Sequence, residues 1–173
     1  TYRAPAGVTA RLNGVVALEY KALDTELDDL NVGRVNALRG IPGAGLCVFG
    51  ARTLKYNQID RYISARRTLI SLRLALVNST RFAAFEPNNS DLWLTLRAVC
   101  SRILLELWQE GGLRGEAVEA AFYVKCDDDN NPQSSINNGE VHVEVGVALD
   151  TPAEFIVLRI GQFDSGSTIS EEV

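Results

Sequence analysis

The sequence has few of the residues on which enzyme sites and covalent crosslinks most often depend. Its 173 residues include one histidine, three cysteines and no methionine. Cys47, Cys100 and Cys126 are odd in number, widely spaced and set in apolar runs. We therefore expect buried thiols in a reducing compartment, not a disulfide framework or a zinc site. The missing methionine and the opening Thr1 predict that the sequence is part of a longer chain.

Long apolar runs and an excess of positive charge are also missing. No run reaches the ~18 to 20 apolar residues that a bilayer span needs, so no direct membrane insertion is expected. The formal net charge of -5 argues against nucleic acid as a partner, because phosphate binding needs an excess of Lys and Arg. With 46% apolar and 23% charged residues, the composition is that of a globular domain with its own core.

Two main helices are predicted. The first covers residues 62 to 82, and its core face is formed by Leu69, Leu72 and Leu76. Four further apolar residues are expected to widen this face: Ile63, Ile70, Leu74 and Val77. The second helix has the strongest periodicity in the chain, with apolar residues every three to four positions from Leu92 to Trp108, and Gly111 and Gly112 end it.

The polar stretch "FEPNNSDLW", residues 85 to 93, marks the start of this second helix. Pro87 keeps the residue before it out of the helical conformation. Asn89 or Ser90 can accept a hydrogen bond from a free N–H at the helix start, and Asp91 suits the positive end of the helix dipole.

Several strands are predicted around these helices. "LCVFGA" is a short apolar run between glycines, "FAAFE" (82–86) is a short strand, and "AEFIVLRI" (153–160) is an apolar strand. "VHVEVGVAL" (141–149) alternates, which is typical of a half-buried strand. The sequence therefore predicts an α/β fold, more specifically α+β: a mixed, mostly antiparallel sheet packed with two main helices, followed by an extended C-terminal arm.

Tests for chemistry find no site. His142 lies among alternating valines, as an exposed strand residue would. "GAGLCVFG" precedes a strand, whereas a dinucleotide fingerprint follows one. In "DDDNNPQSSINN", a calcium loop built from Asp127, Asp129 and Asn131 would place Pro132 where glycine is needed. No catalytic residue, metal or cofactor is expected, which favours an interaction protein over an enzyme.

One segment has an unusual charge. Residues 61 to 85 contain five arginines and no acid, so this segment is +5 and the remainder of the chain is -10. A basic helix balanced by acidic neighbours in the same fold would explain this, and so would electrostatic contact with an acidic partner. The arginines are Arg61, Arg66, Arg67, Arg73 and Arg81.

Seven blocks occur in an order that resembles the C-terminal domain of contractile tail sheath proteins, over about residues 4 to 160. Such sheaths occur in phage tails, contractile bacteriocins and extracellular contractile injection systems. One departure is at Tyr62, near which relatives carry a tryptophan. The blocks are "APAG", "LNVGRVNALRGIPGAGLCVFGARTL", "YISARRTLI", "FEPNNSDLW", "LELWQEGGLRGEAVEAAFYVKCD", "NNGEVHVEVGVAL" and "PAEFIVLRI".

The resemblance implies a structural role. Subunits of such proteins stack as six-membered rings around an inner tube and contract to drive the tube through a target envelope. The implied partners are other copies of the chain, the inner tube protein, and baseplate and tail terminator proteins. The protein would be made in the bacterial cytoplasm and incorporated into a phage tail or contractile particle, and the five arginines become candidates for contact with the tube or a neighbouring subunit.

The resemblance also implies a division of the chain. Residues 1–160 would form the core domain, and residues 161–173 would form an arm that donates a strand to a neighbouring subunit. Gly161 and Gly166 would let the arm bend, while Phe163 and Ile169 would pair within the donated strand. Two alternatives remain: an α/β enzyme that uses His142 or the Asp127–Asp129 loop, and a monomeric binding module that uses the basic helix.

Overall fold

The computed structural model describes the backbone of residues 2–58, 60–154, 159–164 and 167–172, and side chains as far as residue 154. The described strands form three antiparallel pairs, β1–β2, β3–β4 and β5–β6. The predicted α+β fold with two main helices and antiparallel strands is confirmed. In chain order the elements are α1 (Asp24–Val32), β1 (Ala37–Ile41), β2 (Gly45–Phe49), α2 (Ile63–Ser79), a 3-10 turn (Arg81–Ala83), α3 (Ser90–Gln109), α4 (Val118–Ala121), β3 (Phe122–Lys125), α5 (Gln133–Asn137), β4 (Glu144–Val147), β5 (Arg159–Asp164) and β6 (Ser167–Glu172).

The start of α3 shows what the polar stretch before it does. Asn89 is the N-cap, and its side-chain oxygen accepts a hydrogen bond from the backbone N–H of Leu92 at 3.1 Å. The side chain of Asn88 accepts from the indole Nε1 of Trp93 at 2.8 Å and donates to the carbonyl of Glu140 at 2.8 Å. The two asparagines thus begin the helix and join it to the segment before β4.

Helix α3 forms the spine of the core. Its buried face comprises Leu92, Trp93, Leu96, Cys100 and Leu104. One cluster joins the C-terminal half of α3 to α2, α4 and the β3–β4 pair. A second cluster joins its N-terminal half to Cys126, α5 and the valines before β4. Every described helix and strand between α3 and the end of β4 therefore packs against one of these two clusters.

The β3–β4 pair lies against α3. Its register sets Phe122 opposite Val147, and Tyr123 opposite Gly146. A Cβ at position 146 would lie 2.0 Å from the Tyr123 ring, so only glycine allows the ring to lie there. The predicted alternation around β4 is confirmed, since Val141 and Val143 are half-buried while His142 and Glu144 are exposed.

The N-terminal lead-in pairs with β2. The N–H of Gly7 donates to the carbonyl of Val48 at 2.8 Å, and the N–H of Leu12 donates to that of Leu46 at 2.8 Å. Cys47, between these two positions, is fully buried, as the apolar run predicted. On the other side β2 pairs with β1 through a turn in which Gly43 and Gly45 have φ of 78° and 83°.

The predicted strand at residues 82–86 is wrong, because residues 81–83 form a 3-10 turn and residues 83–86 turn again before α3. Of the predicted strand at 153–160, residues 155–158 lie outside the described residues. Strands β5 and β6 pair with each other and contain Gly161, Phe163 and Ile169, whereas Gly166 lies outside the described residues. Strand β5 begins at Arg159 and crosses the predicted boundary between core and arm.

Buried Asn131 holds the acidic loop onto the start of the β4 segment. Its side-chain oxygen accepts from the backbone N–H of His142 at 2.6 Å, and its amide nitrogen donates to the carbonyls of His142 at 3.0 Å and Asp127 at 3.1 Å. The amide thus substitutes for a strand neighbour, and it is 2% exposed.

We expect Asn131→Ala to lower the free energy of unfolding by about 2–3 kcal/mol, because several hydrogen bonds are lost and the backbone N–H and C=O of His142 lose their partners. Urea denaturation followed by circular dichroism would measure this change. Asn137→Ala, at an exposed position of α5, is the control and should stay within about 0.5 kcal/mol. Equal effects of the two substitutions would contradict the role of Asn131.

Candidate subunit interface

Helix α2 packs on the core with its least apolar face. Its buried residues are Ser64, Ala65, Thr68 and Leu72. Small side chains allow the helix to approach α3 closely, and Leu72 reaches the cluster around Leu104. Leu72 is the one large apolar side chain of α2 that is buried, and Leu76, as predicted, packs partly buried against the same cluster.

The opposite face of α2 carries an apolar stripe. Ile70 and Leu74 are each 61% exposed and Val77 is 52% exposed. These positions are spaced by four and three residues, so their side chains lie along one line. The prediction that they widen the core face is wrong, because the small residues opposite them are the ones that meet α3. An exposed apolar row of this kind marks a surface that another molecule can cover.

The predicted arginines differ in their surroundings. Arg66 forms an ion pair with Asp60 at 2.8 Å, and the Nε of Arg61 is buried without a hydrogen-bond partner in the described part of the chain. Arg67, Arg73 and Arg81 are exposed and make no ion pair with any described residue.

Asp60 supplies the negative charge that pairs with Arg66. A hydrogen bond from Asn57, followed by the charge of Arg66, lowers the pKa of the Asp60 carboxyl. Asp60 lies one residue before the basic segment 61–85, which contains no acidic residue of its own. Part of the basic charge is therefore balanced within the fold, and the unbalanced part lies beside the apolar stripe of α2.

The other predicted residues lie elsewhere and do not form a common site. His142 is exposed, with its Nε2 3.5 Å from Glu140. In the acidic loop, Lys125 Nζ lies 2.9 Å from Asp129 and 3.9 Å from Asp127. The hydrogen bond between Lys125 and Asp129 raises the pKa of the lysine and lowers that of the carboxyl. Among the described residues, no three His, Cys, Asp or Glu side chains converge as metal ligands would.

Sequence reasoning missed an ion pair between distant segments. The guanidinium of Arg52 is hydrogen-bonded to the carboxylate of Glu154, with Nε 2.9 Å from Oε1 and Nη2 2.5 Å from Oε2. The same guanidinium donates to the carbonyl of Asn31 at 3.0 Å, and the hydroxyl of Tyr62 donates to Glu154 at 3.3 Å. This contact raises the pKa of Arg52, and it fastens residues 152–154 beside α1 and β2. No local pattern connects two positions 102 residues apart.

Residues 152–154 also close a cleft. Its volume is about 330 Å³, and it lies between the N-terminal lead-in, α1 and the β1–β2 pair. Leu27, Phe49 and Ala51 contribute apolar surface to it. At the edge, Asp24 pairs with Arg39 at 2.8 Å, which leaves Asp28 as a lining acid without an ion pair in the described part of the chain.

An exposed apolar face, unbalanced arginines and a separate cleft are features of a chain that associates with other proteins. None of the described helices has the length and apolar character to cross a membrane. No family model matches the chain. A curated relative is the tail sheath protein of Vibrio phage KVP40, 26% identical over 161 residues, which are 91% of this chain and 23% of that protein.

Solved structures similar to this chain also come from contractile assemblies. A chain of the extracellular contractile injection system PVC sheath complex, in the contracted state, is 37% identical with a TM-score of 0.85. The match covers 95% of this chain and 46% of that one. A chain of the anti-feeding prophage baseplate, 6-fold symmetrised, is 32% identical with a TM-score of 0.87, over 94% of this chain and 45% of that one.

These likenesses place the chain among the contractile tail sheath proteins, as the order of its sequence blocks predicted. The two solved chains described above come from the anti-feeding prophage baseplate and the PVC sheath complex. The chain spans less than half the length of these solved relatives and about a quarter of the curated one.

The two faces of α2 can be distinguished by mutation. Leu72→Ala should lower the free energy of unfolding by about 2–4 kcal/mol, because it leaves a cavity beside Leu104. Leu74→Ala, two residues further along the same helix, should change it by no more than about 0.5 kcal/mol. Thermal or urea denaturation of both variants would measure the difference, and similar losses would show that α2 packs differently.

Proposed function

We propose that the chain belongs to the structural subunit of a contractile sheath, which stacks as six-membered rings around an inner tube and contracts to drive the tube through a target envelope. The observation that carries this is the 37% identity, over 95% of the chain, to a sheath chain in its contracted state. The 6-fold-symmetrised baseplate that contains a similar chain supports the ring of six. Sheath contraction needs no catalytic residue, because the work comes from the free-energy difference between two packings of the subunits.

The chain is proposed to be the C-terminal core domain of a longer subunit, with residues 161–173 as its arm. A chain that covers 45% of a solved relative is consistent with one domain of a larger protein. Among the described strands, β5 and β6 pair with each other in an antiparallel ladder. Such pairs can be exchanged between copies at low cost, since a neighbour's strand restores the same bonds. Gly161 and Gly166 would then permit the bend, and Phe163 and Ile169 would lie in the donated strand.

The outer face of α2 is proposed as a contact with the inner tube or a neighbouring subunit. It combines the stripe of Ile70, Leu74 and Val77 with exposed arginines. Desolvated apolar side chains would supply affinity, and the charges would steer and orient the partner. Baseplate and terminator proteins would meet the ends of the sheath. The subunit would be made in the bacterial cytoplasm and released as part of a phage tail or contractile particle.

Electron microscopy of the full-length protein, produced with and without its tube protein, tests the proposal. We expect tubes or stacked rings in at least the sample with tube protein. Deletion of residues 161–173 should abolish them while the circular dichroism spectrum and melting of the core remain, because both described core clusters are built from residues before position 150. Small monodisperse particles in both samples, or complete sheaths from the truncated protein, would contradict the proposal.

Charge reversal tests the α2 contact. Arg67→Glu together with Arg73→Glu should reduce assembly several-fold at about 0.1 M salt and less at about 1 M, where the screening length falls from ~10 to ~3 Å. Sedimentation of assembled material at both salt concentrations would measure this. Arg102→Glu together with Arg114→Glu, at two exposed arginines outside α2, makes the same change in charge and is the matched control. An effect of the α2 double variant that equals the control at both salt concentrations would exclude the contact.

A further inference from the structure

The turn before α3 contains a phenylalanine where glycine is expected. The N–H of Glu86 donates to the carbonyl of Ala83 at 3.2 Å, which closes a four-residue turn. Within it Ala84 has φ -65° and ψ 124°, and Phe85 has φ 71°. These angles are those of a type II turn, whose third position favours glycine or asparagine. A bulky side chain there is strained.

The side chain of Phe85 gains nothing within its own chain in return. It is 107% exposed, so it has no packing contact among the described residues. The backbone position penalises the residue, and the exposed ring adds an apolar surface to water. Both the backbone conformation and the exposure of the ring are unfavourable in the single chain. Such a residue is suited to anchor another molecule, since buried aromatic side chains dominate the energetics of protein interfaces. Arg81, four residues earlier, is an exposed cation beside the same turn.

The cleft beside α1 has the complementary character. Leu27, Phe49 and Ala51 form apolar walls, and Asp28 contributes a negative charge that no described residue pairs with. Its 330 Å³ lies at the lower end of the volumes of ligand sites, which suits one aromatic side chain and little more.

A chain cannot place its own Phe85 in its own cleft. The cleft wall at Ala51 is joined to the first turn of α2, since its carbonyl accepts from the N–H of Ile63 at 2.9 Å. Phe85 follows the other end of the same helix. The 17 residues of α2 span about 25 Å. Phe85 and the cleft lie at opposite ends of this helix, too far apart to meet within one copy.

We propose that Phe85 of one copy inserts into the α1 cleft of a second copy, with Arg81 facing Asp28. This inference rests on the proposed sheath function, because it needs many copies of one chain. A contact between the exposed Phe85 ring of one copy and the cleft of the next is head-to-tail, because it joins two different surfaces. Such contacts generate rings or open helical arrays. The strained turn holds the ring outward before association, which reduces the entropy lost on binding.

Phe85→Gly in the full-length protein separates this role from a structural one, because the two readouts should move in opposite directions. Glycine relieves the strain at φ 71°, so the melting temperature of the unassembled subunit should rise by about 2–4 °C. The yield of sheaths should fall ~10-fold or more, since an interface anchor is lost. Leu54→Ala, which removes another exposed apolar side chain away from the turn and the cleft, should change neither.

A lower melting temperature, or sheaths formed as well as by the unmodified protein, would overturn the contact while leaving the sheath function standing. A full-length protein that never assembles would overturn the sheath function and this contact with it.

A photo-crosslinker identifies the receiving surface directly. Benzoylphenylalanine in place of Phe85 keeps an aromatic ring, and mixing isotopically light and heavy subunits shows which links join different copies. We expect links from position 85 to the peptides that line the cleft, in α1, around Ala51 or around Ala153. Links to the tube protein, or to other surfaces of the neighbouring copy, would overturn the proposal.

A charge swap tests the orientation. Asp28→Arg alone should reduce assembly, and adding Arg81→Asp should restore part of the loss, because the pair is then reversed. Glu86 lies on the same turn as Phe85, so Asp28→Arg also changes the interaction of position 28 with Glu86. The rescue by Arg81→Asp is therefore the decisive measurement. A double variant that assembles less well than either single variant would exclude the Arg81–Asp28 contact.

Discussion

The structure depends on the burial of one face of α3. Leu96 and Leu104 are 1% and 0% exposed, and each belongs to a separate cluster along that helix. One cluster holds α2, α4 and the β3–β4 pair, while the other holds α5 and the segment leading to β4. Because both clusters share one helix, loss of α3 would remove the apolar face against which all these elements pack.

The elements that precede α3 in the chain leave more apolar surface exposed than the elements that pack around it. Helix α2 meets α3 through Ser64, Ala65, Thr68 and Leu72, and its apolar residues Ile70, Leu74 and Val77 face outward. The lead-in, α1 and the β1–β2 pair form their own layer, which the Arg52–Glu154 contact joins to residues 152–154. A monomer gains little stability from these exposed features, and in the proposed sheath they are available for contacts between subunits.

Sequence reasoning succeeded where the determinants are local. The start of α3 at Ser90 follows from Asn89 and its side-chain hydrogen bond, and the end of the helix follows from glycines. Alternation predicted which side chains around β4 are exposed. For α2 it correctly predicted Leu72 and Leu76 on the core face, but it also placed Ile70, Leu74 and Val77 there, and these three are exposed. How wide the buried face of α2 becomes depends on how α3 packs against it, and no residue within α2 encodes that.

The sequence by itself therefore determined the α+β class, the position and caps of α3, the burial of the cysteines and the ordered blocks of a contractile sheath protein. Each of these depends on neighbouring residues or on a periodicity along one element. The tertiary structure alone decided the outward face of α2, the contact of Arg52 with Glu154 across 102 positions, and the exposed ring of Phe85 at φ 71°. These depend on how distant segments meet, which is decided by packing and not by any local pattern.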